Sequence, residues 1–491
     1  MTLFRFDNSY SRLPADFFRH CEPTPVSAPR LLKFNDALAE ELGADLSGCD
    51  AQTLAAIFSG NVIPEGAEPL AMAYAGHQFG GFAPQLGDGR ALLLGEVIDR
   101  NGQRRDLQLK GAGRTPFSRG GDGRAPLGPV IREYLVSEAM HALGVPTTRA
   151  LAAVLTGDAV MRDDVLPGAV LTRVAASHIR VGTFEYFAAR GQHEHIRQLA
   201  DYVIHRHYPA LHSEPQPYLA LLQTVIARQV ELIAQWMSLG FIHGVMNTDN
   251  MLVSGETIDY GPCAFMDEFH PESVFSSIDR HGRYAWRMQP AIVQWNMARF
   301  AETLVPLLDD DEDKAVALAT EQVRAIKGLS ESARLARFRA KLGLHSDEPD
   351  DATLIDDLLL AMDQNDVDFT LLFRHLCDAS LAPADAATVR ALFARPQAWD
   401  DWAPRWAERL ARESLAPAAR RDAMRATNPS IIPRNHRVEQ VINEALSQQR
   451  LDSFERLLAL LMRPFDDHAE AQDWLGPPPP GEQVCKTFCG T

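Results

Sequence analysis

The texture of the chain changes once, and that change decides what it can fold into. Residues 76–180 are a series of glycine-rich turns and β-like runs around one helical pattern, whereas beyond residue 190 the chain turns helical, and from 289 to about 465 nearly every segment is amphipathic helix. In the first region "GHQFGGFAPQLGDGR" (76–90) leads to the apolar run "ALLLGEVI" and then to "RNGQR", whose Asn101-Gly102 pair marks a hairpin. The returning strand "RDLQLKG" alternates, with Leu107 and Leu109 on one face and Gln108 and Lys110 on the other. A second glycine-rich loop, "GAGRTPFSRGGDGRAPLG" (111–128), enters a helix whose stripe is Ile131, Leu135, Ala139 and Leu143, stopped by Gly144 and Pro146. Glu133 lies off that stripe, about 200° round from Ile131 by helix geometry. Three β-like runs follow at 151–156, 159–162 and 169–174, separated by Gly157-Asp158 and Pro167-Gly168. In the helical region Leu222, Ile226, Val230, Ile233 and Met237 form a stripe that ends at Gly240. The expected fold is α+β, a β-rich small lobe followed by a large, extended helical lobe, with the site in the cleft between them.

Just after Gly240 comes "HGVMNTDN" (243–250), and "DYG" stands at 259–261. The pair resembles the catalytic segment of protein kinases, H-R-D-x-x-x-x-N followed by D-F-G. A glycine-rich turn, a strand lysine (Lys110) and a helix glutamate (Glu133) precede it in kinase order, which makes the expected fold kinase-like and bilobal. Lys110 and Glu133 then read as the ion pair that holds phosphates. Asn250 and Asp259 read as ligands of Mg²⁺, a hard cation that takes an amide oxygen, a carboxylate and substrate phosphates. His243 reads as a buried, hydrogen-bonded support behind the loop, and "MLVSGETIDYG" as a tight strand pair around Ser254-Gly255. Val245 stands where a kinase has its catalytic Asp, and another acid, Asp249, immediately precedes Asn250.

Two Gly-Asp-Gly-Arg elements, 87–90 and 121–124, are turn chemistry that also suits phosphate-cradling backbone with a guanidinium beside it. Arg173 and Arg180 lie at the end of the last small-lobe strand and just after it, with His178 between them, where an ordinary kinase puts its adenine-binding hinge. Two arginines are a costly choice beside an adenine and a sensible one beside phosphates, which points to a triphosphate running the other way through the cleft.

Composition bounds the partners. The chain has 491 residues and a formal net charge of −17, which argues against nucleic acid held by phosphate contacts. No apolar run reaches the length of a membrane-spanning helix, and the start "MTLFRFDNSYSRLP" shows no targeting segment, so a cytoplasmic monomer is expected. The six cysteines are too few and too scattered for a disulfide framework, and the tail "GPPPPGEQVCKTFCGT" reads as an exposed end carrying Cys485 and Cys489.

The blocks "GHQFGGFAPQLGDGRALLLGE", "LKGAGRTPFSRGGDGRAPLG", "REYLVSEAMHALGVPTTRAL" and "HGVMNTDNM…DYGP" resemble the selenoprotein O (YdiU) family, and the resemblance covers nearly the whole chain. It implies a pseudokinase fold that is catalytic. ATP binds flipped relative to kinases, and AMP is transferred to Ser, Thr or Tyr hydroxyls of proteins. On matching positions the resemblance implies that Lys110, supported by Glu133, holds the β- and γ-phosphates together with Arg173 and Arg180. It implies that Gly87, Gly89, Arg90, Asp122 and Gly123 line the nucleotide site, with Asp259 also contacting the nucleotide. Asn250 and Asp259 would ligate Mg²⁺ or Mn²⁺, and Asp249 would be the general base. It also implies redox control through a bridge from tail cysteines to the catalytic lobe. This chain departs there, with no Cys in "ESVFSSIDRHGRY", Cys263 as the nearby candidate partner, and a Cys485–Cys489 pairing as the alternative. Residues 1–75 are expected as an extension packed on the lobes, 76–180 as the nucleotide-binding small lobe, 181–476 as the helical lobe with the catalytic loop, and 477–491 as the tail. Two other functions use the same frame, a kinase transferring the γ-phosphate and a non-catalytic scaffold that only binds nucleotide.

Overall fold

The computed structural model describes residues 3–383, 386–448 and 450–488. It is α+β, with a β-sheet part and a large helical part. The N-terminal residues supply β1 (Phe18–His20), β2 (Arg30–Phe34) and β3 (Leu70–Met72), and a small separate hairpin follows, β4 (Gly76–Gln78) with β5 (Gly81–Ala83). Then come β6 (Ala91–Ile98), β7 (Arg104–Lys110), β8 (Ala125–Pro126), β9 (Arg149–Met161) and β10 (Val165–Ala175). Among the described residues the main sheet runs β1-β3-β6-β7-β10-β9-β2, with β8 against β10. Three strands of this sheet, β1, β2 and β3, therefore come from the segment before residue 76.

The alternation of β7 orders the site. Leu107 and Leu109 point into a core with Leu38, Ile57 and Phe58, from α1 (Asp36–Glu41) and α2 (Ala51–Phe58). The opposite face of β7 carries Gln108 and Lys110, and Gln108 is paired across the ladder with Arg173 of β10. That face is covered by α3 (Leu127–Ala142), whose Ile131, Leu135 and Ala139 pack with Val438 and Val441 from a helix near the C-terminus, Asn435–Gln448. Arg132 of α3 ties the two parts further, donating to the Cys263 carbonyl at 3.1 Å and to Glu439 at 2.7 Å.

Two local expectations fail for physical reasons. The runs 151–156, 159–162 and 169–174 are two long strands, β9 and β10, joined at 162–164. Gly157 lies inside β9 because the N-terminal segment crosses there, and a Cβ at 157 would stand 2.7 Å from that of Ala28. Pro167 lies inside β10 at a register shift between Pro167 and Ala169, a bulge that spares the missing N–H. "MLVSGETIDYG" does turn at Ser254-Gly255, with the Gly255 N–H donating to Leu252 at 3.0 Å. Its two arms pair elsewhere, Leu252 with Arg180 and Thr257 with Thr147.

The helical part begins with α4 (Val181–Ala188), α5 (His193–His207) and α6 (Pro217–Ser238), followed by α7 (Gln289–Leu308) and α8 (Glu312–Leu342). The stripe Leu222, Ile226, Val230, Ile233 and Met237 of α6 is buried as its spacing requires. A buried ionic network fastens α5 to the sheet. Arg206 pairs with Glu96 of β6 and, at 2.5 Å, with Asp106 of β7. Asp106 also accepts from the His178 N–H at 2.8 Å and lies 3.0 Å from its ring. The tail docks as well. Thr487 is buried, pairs with Ser276 and donates its hydroxyl to the Pro262 carbonyl at 2.5 Å. Among the described residues Cys263, Cys377 and Cys485 are free thiols, and Cys489 lies outside the described residues. No helix among the described residues is long and apolar enough to cross a membrane.

Candidate active site

A cleft of about 720 Å³ opens between the sheet and the helical part. Gly87, Gly89, Arg90, Asp122, Gly123 and Arg180 line one side, and Asp249, Asn250 and Asp259 the other. Behind Asp259, strand and helix meet in a buried charge cluster. Lys110 Nζ donates to Glu133 at 2.6 Å and to Asp259 at 2.9 Å. Arg173 Nε pairs with the other oxygen of Glu133, and its guanidinium reaches within 3.5 Å of Asp259. The spacing of a strand lysine and a helix glutamate thus closes as a contact, and an arginine joins it.

Asp259 is held anionic. Burial opposes its charge, yet Lys110, Arg173 and Arg90 outweigh it and keep the carboxyl far below the ordinary range. Its φ of 68° is left-handed, a conformation rare for a side chain with a Cβ and a common mark of functional loops. Asn250 is pinned by its nitrogen, which donates to the Val245 carbonyl at 3.0 Å and so commits its oxygen to the other direction. His243 is buried against the Ile258 carbonyl at 2.9 Å and supports the loop from behind. His178 engages Asp106 and does not face the cleft. Asp122 lines the cleft while paired with Arg162 at 2.8 Å.

Asp249 has the opposite electrostatics from Asp259. Burial pushes its carboxyl up to about 6, with Gln78 and Arg180 working the other way. Gln78 donates to Oδ2 at 3.0 Å, whereas Oδ1 is buried with no hydrogen-bond partner among the described residues. Arg180, the residue preceding α4, donates to the Asp249 carbonyl at 2.9 Å, lies 3.4 Å from Asp88, and stacks on Tyr74 at 4.2 Å. One cleft therefore holds a carboxylate fixed as an anion and another poised to exchange a proton near neutral pH.

The profile described as "Protein adenylyltransferase SelO" matches residues 1–462. The chain belongs to the SelO family. Among its relatives is a "Protein nucleotidyltransferase YdiU" of Rhizobium meliloti, 60% identical over 492 residues and 100% of both chains. A protein of the same name from Rhodopseudomonas palustris is 59% identical over 488 residues, 99% of each chain. A third, from Nitrobacter hamburgensis, is 58% identical over 487 residues, 99% of this chain and 96% of the relative. This SelO chain is an enzyme, a nucleotidyltransferase.

Sequence reasoning missed how the SelO cleft positions Asp249. The β4–β5 hairpin lies on the 243–250 loop: the His77 N–H donates to Thr248 at 2.7 Å, and the Phe79 N–H to Asn247 at 3.1 Å. Glu185 of α4 ties His77 and Thr248 together. The only sequence signal is Gly76 of "GHQ", because His77 and Thr248 are 171 positions apart and Phe79 and Asn247 168. Gly76 makes the approach feasible, since a Cβ there would stand 2.6 Å from Asp249 Oδ1. Gly76→Ala should lower kcat roughly 10²-fold by displacing that carboxylate. ATP affinity should stay unchanged, as paired turnover and equilibrium-binding measurements would show.

Proposed function

We propose that this chain is a protein adenylyltransferase that moves AMP from ATP to Ser, Thr or Tyr hydroxyls, with ATP flipped in a kinase-like bilobal cleft. Asp249 carries this reading, as a buried cleft carboxylate raised to about 6 with one oxygen unengaged. Its state suits a general base, which works best with a pKa near the working pH. Val245 lines the same cleft where a γ-phosphate-transferring kinase needs its carboxylate, which disfavours kinase chemistry.

In this mechanism Lys110, Arg173 and Arg180 hold the β- and γ-phosphates at the cationic end of the cleft, and Glu133 holds Lys110 and Arg173 in place. Gly87, Gly89, Arg90, Asp122 and Gly123 line the nucleotide. Inversion turns the α-phosphorus toward Asp249. The acceptor hydroxyl gives its proton to the Asp249 carboxylate, its oxygen bonds the α-phosphorus, and the bond from that phosphorus to the bridging oxygen breaks, releasing pyrophosphate. An amide oxygen pinned at Asn250 and an ionised Asp259 form a donor set that fits Mg²⁺ or Mn²⁺. When bound there, the metal supplies neutralisation of phosphate charge. Both buried thiols, Cys263 and Cys377, suit a reducing cytoplasm.

A pH profile tests the base. Asp249 must be ionised to accept a proton, so kcat for transfer of the α-phosphorus of ATP should be flat above about 6 and fall as pH drops through that value. A profile with no acidic limb near 6 would remove Asp249 from the reaction.

A further inference from the structure

A second cavity, of about 690 Å³, adjoins the nucleotide cleft, and Phe79 and Ile278 line both. Their side chains are 38% and 52% exposed at the shared rim. Phe79 holds a left-handed φ of 52°, a strained conformation that the surrounding structure must impose. Asn247 imposes it through the Phe79 N–H, and Tyr284 packs edge-on at 5.2 Å while donating to the same Asn247 oxygen at 2.7 Å. An apolar side chain is thereby forced into solvent beside the loop that carries Asp249.

The wall behind this rim is cationic in a chain whose net charge is −17. Arg280 is exposed and Arg283 half-buried, and the neighbouring carboxylates are engaged elsewhere. Asp279 accepts the backbone N–H groups of Arg283 at 3.0 Å and Tyr284 at 2.8 Å, and Glu272 pairs with Arg287. The Arg283 guanidinium is held by rings, 4.9 Å from Trp295 and 5.8 Å from Tyr284, and its Nε is buried without a hydrogen-bond partner among the described residues. The guanidinium also hydrogen-bonds Tyr284, which fixes it further and leaves its remaining N–H groups for an incoming carboxylate.

We propose that this cavity holds the acceptor polypeptide, and that it selects segments in which an acidic and an apolar side chain flank the reacting hydroxyl. The apolar side chain packs on Phe79 and Ile278, and the acid meets Arg280 and Arg283. This inference rests on the assignment of Asp249 as the base, because that assignment puts the hydroxyl at the shared rim.

The test uses two fluorescein-labelled peptides of equal length, each with a Tyr and a Leu, one flanked by Asp and the other by Lys. By fluorescence anisotropy the acidic peptide should bind the full chain about tenfold tighter or more, and Arg280→Glu with Arg283→Glu should reverse the preference. Arg280→Glu alone, an exposed position, should weaken the acidic peptide in the same direction without disturbing the fold. Equal affinities, or a preference that survives both substitutions, would overturn the proposal. Transfer of α-phosphorus label to the peptides is read in the same samples. Acid-selective binding without transfer would count against Asp249 and leave the docking surface standing, and transfer without selectivity would remove the docking surface alone.

Discussion

Asp249→Asn should lower adenylyl transfer by about 10³-fold, within the range that a positioned general base contributes. Asn keeps the size of the side chain and a partner for Gln78, so the loop has no steric reason to move. What it loses is the carboxylate's capacity to take a proton. ATP affinity should be preserved, because the charge cluster of Lys110, Glu133, Arg173 and Asp259 is untouched. The acidic limb of the pH profile should vanish with the activity. A scaffold that merely binds nucleotide would be indifferent to the substitution. Full transfer activity in Asp249→Asn would require another base.

Glu133→Gln should damage both stability and nucleotide binding. Glu133 is buried between two cations, and burial, which opposes its charge, is outweighed by Arg173 and Lys110, so its carboxyl sits below the ordinary range. Neutralising it leaves Lys110 and Arg173 sharing Asp259 alone. Removing one partner from a buried pair costs about 3–5 kcal/mol, and the half-buried Asp259 sets the expectation at the lower end. The pH dependence has a definite sign. A carboxyl depressed in the folded state contributes stability that is fully present above its unfolded value of about 4.5 and lost as pH falls through the folded value. Urea unfolding should therefore show a gap between the parent protein and Glu133→Gln that is constant at neutral pH and closes in acid. ATP affinity should fall at every pH, since Lys110 loses the contact that aims it. A variant of unchanged stability would mean that the pair is dispensable to the fold.

The site was legible in the sequence to the extent that its geometry is local. Period-two alternation put Lys110 opposite Leu107 and Leu109, helix angle put Glu133 off the apolar stripe, and both meet as expected. The burial of His243 was equally readable. Contacts set by tertiary approach were not. Gly157 and Pro167 look like turns, yet one is a crossing point and the other a bulge within long strands. His178 sits near the expected phosphate arginines in sequence but turns to Asp106, whose other partner, Arg206, is 100 positions away. The docking of the 76–83 hairpin on Asn247 and Thr248, and of Thr487 beside Ser276, depends on pairs too distant for any periodicity to reveal.

The most direct test gives the purified protein ATP labelled on either the α- or the γ-phosphorus, with Mg²⁺ and a mixed protein acceptor. Label entering protein from the α position alone is the expected result, and it would establish adenylyl transfer. Label entering from the γ position alone would contradict the account and make this cleft a kinase with a base other than Asp249.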